Sequence, residues 1–197
     1  KKYWSDNGWR FIKSNNINLP FYWDNQNNNI LINDNGRLRA PKKNLPVSHI
    51  TWYEAEAICS FLGGRLPTES EWEYLATNGG TTKYPWGNEM NIEMNLNYSS
   101  TICEVDKFPK ADNKYGVCQL IGNVWEWCQE PIYPYEGFCI DPVYREFSYP
   151  FFGFKKILRG GSWAVPDILI NSRYRNAQMP DCRIQFTGFR VVKNLYI

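Results

Sequence analysis

The chain has 197 residues and a formal net charge of +2, from 22 basic and 20 acidic side chains. That balance offers no footprint for nucleic acid or an anionic membrane surface, and no run of about 18 apolar residues is available for a membrane span. Aromatic residues are the outlier: 9 Trp, 13 Tyr and 11 Phe make 17% of the sequence, enough to build a core from a few large rings with little regular structure.

The opening residues KKYWSDNGWRF lack the apolar stretch of a signal peptide. The compartment stays open, with the cytoplasm favoured. Residues 1–44 read as strand-like pieces separated by the Asn-rich loops SNNINLP, DNQNNNI and NDNGRLR. Asn35-Gly36 is a hairpin turn signal between Ile30-Leu31-Ile32 and Leu38. Thr51 with Glu54, and Thr68 with Glu71, have the spacing of capping boxes. They predict two short helices, TWYEAEAICSFL and TESEWEYLAT, stopped by Gly63-Gly64 and by Asn78-Gly79-Gly80. Joined by GGRLP, the two should pack side by side.

Beyond residue 80, Gly, Pro and Asn interrupt every few residues, leaving room for short strands such as KILRG and GFRVV. The expected architecture is one α+β domain over 1–197, loop-rich, with two short helices beside small antiparallel sheets. The 6 cysteines (59, 103, 118, 128, 139, 182) show neither CxxC nor zinc spacing. Free thiols are favoured and disulfides are the alternative.

Three groups of residues could carry chemistry. In RYRNAQMPDCR, Arg173, Arg175 and Arg183 stand near Asn176 and Gln178. Guanidinium groups grip a carboxylate bidentately and amides answer both donors and acceptors, so a small amino-acid-like ligand suits them. The alternative is that these arginines tie loops together through backbone carbonyls. In GNVWEW, Glu126 lies between Trp125 and Trp127 and needs a cation, with Arg159 and Arg175 as candidates. The 1 histidine, His49, just before a helix cap, reads as a packed structural residue. A three-histidine iron site cannot be assembled from it. No nucleophile elbow, P-loop, HExxH or dinucleotide fingerprint is present.

Five ordered segments, PVSHITWYEAEAICSFLGGRLPTESEWEYLA, YPWGN, YGVCQLIGNVWEW, LRGGSW and FTGFRVV, resemble the formylglycine-generating-enzyme (sulfatase-modifying-factor) domain over about residues 45–192. The resemblance implies a loop-rich variant of the C-type-lectin fold. Formylglycine-generating enzymes carry a copper-binding cysteine pair after the GGS motif. Residues 160–178 here hold no cysteine, so no copper site is expected and copper-dependent formylglycine formation is the least favoured activity.

The closer likeness is to the C-terminal lobe of ergothioneine- and ovothiol-type sulfoxide synthases, carried by His49 in PVSHITWYEAEA, by YPYEGF, by RYRNAQMPDCR and by FTGFR. Those enzymes join a thiol to a histidine derivative with O2 and a non-haem iron, whose histidine ligands come from a separate helical domain. The resemblance therefore implies a substrate-binding lobe, inactive alone, that needs a helical iron-binding partner. It also implies that Tyr135 or Tyr144 carries a catalytic phenol. Ala177-Gln178 stand where the actinobacterial type has Trp-Asp, which puts the substrate in question.

By position in the family, Gln119, Glu126 and the carbonyls of Gly122 and Val124 would surround a calcium ion. A second calcium site would begin at Asn95 and Leu96. The alternative to an enzyme lobe is a non-catalytic C-type-lectin-like binding or structural module.

Overall fold

The computed structural model describes residues 1–34, 36–90, 101–109, 112–147 and 149–194. Its first element departs from the strand-like reading of the N-terminal segment. The Ser5 side chain accepts the Gly8 N–H, and helix α1 (Asp6–Ser14) follows. Only Gly8 and Ile12 of this helix are buried. Phe11 meets Tyr53 with ring centroids 5.6 Å apart. That contact fixes α1 on the next helix.

Strands β1 (Trp23–Gln26), β2 (Asn29–Asp34) and β3 (Arg37–Arg39) form an antiparallel meander. At the second link Asp34 stands opposite Arg37 and Gly36 has φ of 83°; Asn35 of the expected turn lies outside the described residues. The first is made by Asn27 and Asn28, with φ of 53° and 66°, a conformation asparagine tolerates better than most residues. Some of the asparagine density is therefore turn chemistry.

Both capping boxes form. Thr51 starts helix α2 (Trp52–Phe61) and Thr68 starts helix α3 (Glu69–Ala76), each threonine accepting from the glutamate three residues on. The two helices pack mainly on the sheet rather than on each other: α2 lies against α1 and β4, and α3 against β4 and β5. Here β4 is Trp125–Pro131 and β5 is Lys156–Arg159; β6 (Asn176–Gln178) and β7 (Thr187–Gly188) complete the sheet in the order β6-β5-β4-β7. It is mixed rather than purely antiparallel, because β4 pairs with β7 in parallel. GFRVV supplies only part of β7 and a bridge from Val192 to Arg65.

Alternation along β4 divides the core in two. Trp125 and Trp127 join Ile50, Trp52, Cys59 and Leu158 in one buried cluster. Cys128 joins Trp72, Leu120, Ile121, Ile157 and Ile170 in the other. Two of the buried indole N–H groups find carbonyls: Trp52 donates to that of Cys128 at 2.8 Å and Trp127 to that of Ile50 at 3.1 Å. All six cysteines are unpaired thiols. Burial pushes Cys59 up to about 12 and Cys128 well above its ordinary value, so both behave as apolar core residues.

Gly160 closes β5 against the Leu120 loop. Its φ is +91°, and an added Cβ would lie 2.7 Å from the Leu120 carbonyl oxygen and 3.1 Å from the Trp72 ring. Gly160→Ala should therefore lower unfolding free energy by about 1–3 kcal/mol, read as a fall in the urea midpoint at unchanged slope. An unchanged midpoint would mean that the loop yields without cost.

Candidate functional site

Glu126 points away from its two tryptophan neighbours, into the half of the core built on Trp72. There it is 7% exposed. Arg190 answers its charge: Nε donates to Oε2 at 2.5 Å and Nη2 to Oε1 at 2.6 Å. The Trp72 indole N–H adds a bond to Oε2 at 2.8 Å. Arg190 also donates to the carbonyls of Cys118 and Gln119 at 3.2 and 3.3 Å. Burial works against its charge, but the Glu126 carboxylate outweighs that and raises the guanidinium above its ordinary value.

The partner is thus neither Arg159 nor Arg175, the two candidates from sequence. Arg159 stands opposite Glu126 in the β4–β5 register, yet its guanidinium runs 5.2 Å from the Trp72 ring centroid to Glu69 (3.0 Å) and Glu73 (2.5 Å). It is fully buried and also donates to the Ser172 carbonyl at 2.7 Å. Arg175 takes the other side of Glu69, with bonds of 2.7 and 2.9 Å. Two ion-pair knots therefore flank Trp72.

The five residues proposed for an amino-acid-like ligand do not all converge. Arg173 is exposed, and its guanidinium has no hydrogen-bond partner among the described residues. Arg175 is committed to Glu69 and the Tyr133 carbonyl (3.0 Å), and lies 4.3 Å from the Tyr135 ring centroid. Asn176 and Gln178 pair with Leu158 and Lys156, on the opposite face of β6 from Ala177. Their side-chain oxygens accept the next backbone N–H at 2.8 and 3.2 Å. Arg183 lies apart from them: it donates to the Leu19 carbonyl, reaches Glu54 at 3.4 Å and sits 5.7 Å from the Phe21 ring. Tying loops to carbonyls and acids, the alternative role, is what Arg175 and Arg183 do.

Tyr135 and Tyr144 are 62% and 60% exposed. Both stand on the long excursion between β4 and β5, whose ends are held by the Ile132 N–H to Lys155 carbonyl bond at 2.8 Å. Tyr135 faces a hollow of about 330 Å³ that Glu69, Glu73, Tyr74 and Thr77 also line. Tyr144 is not one of its walls.

Gln119, Gly122, Val124 and Glu126 do line one cavity, of about 300 Å³, together with Asp106, Cys118 and Arg190. Both side-chain donors to a calcium ion are engaged: Glu126 with Arg190, and Gln119 with the Glu104 carbonyl (2.5 Å) and the Asn123 amide (2.6 Å). The carbonyls of Gly122 and Val124 accept no hydrogen bond among the described residues. Asn95 and Leu96 lie outside the described residues. Among those described, no three of His, Cys, Asp and Glu lie close enough to share a metal.

One feature escaped the sequence reading. A cavity of about 630 Å³ opens between the N-terminal meander and the body, and His49 is in its wall. His49 has φ of +60° and faces Tyr22, whose φ is +67°, with centroids 5.0 Å apart. The His49 ring also meets Phe186 at 4.8 Å, and its Nδ1 lies 3.0 Å from Ser48 Oγ. Burial lowers the imidazole to about 4. No local signal marks this cavity, because segments far apart in sequence line it.

Residues 7–195 match the family described as sulfatase-modifying factor enzyme 1-like domain. Hercynine oxygenase of Mycobacterium tuberculosis is 33% identical over 205 residues, covering 96% of this chain and 46% of that protein. The formylglycine-generating enzyme of Streptomyces coelicolor is 33% identical over 171 residues, covering 76% of this chain and 52% of that protein. The chain thus spans about half the length of these curated relatives. The solved structure of PvdO from Pseudomonas aeruginosa is similar with a TM-score of 0.62 at 23% identity, covering 92% of this chain and 74% of that one. That likeness is one of fold, and it agrees with the loop-rich C-type-lectin-like architecture expected from the motifs.

Two outcomes follow from this geometry. Arg190→Met strands the Glu126 carboxylate and should cost about 3–5 kcal/mol, with Glu126→Gln in the same chain restoring part of the loss; urea unfolding of the single and double variants measures both. A single-variant cost below about 1 kcal/mol, the worth of an exposed pair, would contradict the arrangement. His49 titrates near 6.5 when unfolded and about 4 when folded. The unfolded chain therefore binds the extra proton in that window, and stability falls as pH drops from 6.5 to about 4. Arg39, Lys42 and Lys43 line the same cavity. In His49→Asn, whose side chain tolerates the positive φ, that part of the slope should vanish.

Proposed function

Because this chain belongs to the sulfatase-modifying factor enzyme 1-like domain family, we propose that it is the substrate-side lobe of an iron-dependent sulfoxide synthase of the hercynine-oxygenase type. The observation that carries the reading is 33% identity to such an oxygenase along 96% of the chain, in a sequence with 1 histidine. The residues of this chain do not fit iron. The metal would be held by a helical domain outside these 197 residues, and there it would supply the activation of O2.

On this reading the chain binds and orients the substrate. Arg173 has an uncommitted guanidinium, and Asn176 and Gln178 keep amide donors without acceptors among the described residues. They are the groups proposed to meet the carboxylate of an amino-acid-like ligand. Arg175 and Arg183 position the loops. A phenol at Tyr135 or Tyr144 can donate a proton at the reacting centre. The partner domain would dock on the β4–β5 excursion, which leaves Tyr133, Tyr135, Phe138, Val143, Tyr144 and Phe154 each at least 47% exposed.

Calcium at Gln119, Gly122, Val124 and Glu126 remains part of the proposal. It would share Glu126 with Arg190, so weak binding is expected. A non-catalytic binding or structural module is the second reading. The commitment of Arg175 and Arg183 to Glu69 and Leu19 favours it.

Calorimetric titration of the chain with hercynine tests the first reading. Binding should be detectable, Arg173→Ala should weaken it about tenfold, and O2 consumption should require an added helical iron domain. No binding by the native chain, or equal binding by the variant, would remove the substrate-side role; binding without turnover in the assembled protein would favour the module.

A further inference from the structure

A cavity of about 630 Å³ among the described residues shares no wall residue with the hollow beside Tyr135 and only Pro46 with the one around Glu126. It is formed where the N-terminal meander and the loop at 39–49 fold over Trp163 and Phe186. Aromatic walls come from Phe21, Tyr22, Trp23, Trp163 and Phe186. The charged residues that line it are Arg39, Lys42 and Lys43, and among the described residues no aspartate or glutamate does. We propose that this cavity binds a small aromatic carboxylate, its flat body between the rings and its anionic group toward the lysines.

The volume lies within the range of about 300–1,000 Å³ usual for small-molecule sites, and apolar walls with a few charged groups at one side are their usual lining. Planar rings stack on aromatic walls, edge-on or offset. Lys42 and Lys43 are exposed, and neither ammonium has an ion-pair partner among the described residues. A carboxylate is the ligand group that lining attracts, and a cation is the one it repels.

The backbone adds an independent observation. Tyr22 and His49 both occupy the left-handed region, with φ of +67° and +60°, and they face each other in this wall. Two bonds hold them there, from the Phe21 N–H to the His49 carbonyl (3.0 Å) and from the Asn33 N–H to the Tyr22 carbonyl (2.7 Å). Conformations of this kind in residues with side chains gather at ligand clamps and active sites. Trp163, in the same wall, carries a buried indole N–H with no acceptor among the described residues, and such a group calls for an explanation. An acceptor oxygen on a bound molecule would supply one. Burial keeps His49 neutral, so it contributes a polar edge rather than another cation.

The test is calorimetric titration of the whole chain with three probes of one shape: indole-3-acetate, its neutral amide and the cation tryptamine. Indole-3-acetate should bind at least about tenfold tighter than tryptamine, with the amide between them. The Lys42→Ala/Lys43→Ala double variant should lose about tenfold for the acetate and little for the amide; added salt should do the same. In nitrogen-15 spectra the indole N–H signals of Trp23 and Trp163, assigned with Trp→Phe variants, should move among the 9. Arg173→Ala should leave all of this unchanged, which separates the result from the hercynine test. Equal affinity for the three probes, no binding of any, or unmoved Trp23 and Trp163 signals would overturn the proposal.

Discussion

A carboxylate driven into an aromatic core has to be met by a fixed positive charge, and the pairing of Glu126 with Arg190 is where this fold meets that demand. Strand alternation sends Trp125 and Trp127 one way and Glu126 the other. Without the guanidinium, the second half of the core would contain an uncompensated charge beside Trp72, Leu120 and Ile121. Arg190 also gathers the carbonyls of Cys118 and Gln119. One side chain thus satisfies a strand and the turn that precedes it. Arg159 repeats the device on the far side of Trp72 with Glu69 and Glu73. Little regular structure spans this core, and these arginines do the connecting that longer strands would do elsewhere.

The parts of the fold that were legible from sequence are those decided within a few residues. Thr51 with Glu54 and Thr68 with Glu71 each close a ring three residues wide, so both helix starts could be read directly. The pairing of Asp34 with Arg37 around Gly36 is equally local. Helix α1 carries local signals as well, Ser5 at its cap, Asp6 in its first turn and Lys13 in its last, which the strand-like reading of residues 1–44 passes over. The parallel pairing of β4 with β7 is not a property of either strand, since Thr187-Gly188 is too short to show a pattern.

The candidate site was legible in composition and not in convergence. RYRNAQMPDCR does hold the residues that suit a zwitterion, yet Arg175, just before β6, turns to Glu69 while Asn176 and Gln178 pair with Leu158 and Lys156. Period-two geometry separates neighbours in sequence. Arg159 shows the limit from the other side: register places it opposite Glu126, and a long flexible side chain takes its charge elsewhere. The aromatic cavity around His49 is built by positions from Phe21 to Phe186. No window of sequence contains it, and a lone histidine before a helix cap reads as packing.

The partnership of Glu126 with Arg190 spans 64 residues of chain. During synthesis the acid emerges well before its counter-ion, and Trp125 has no edge to lie on until Thr187 arrives. Nascent chains halted in that interval would expose a half-built core with a bare carboxylate in it, a species suited to chaperone capture. Closure then becomes a late, long-range event. Such an order of assembly makes the FTGFR segment a latch that commits the whole domain at once.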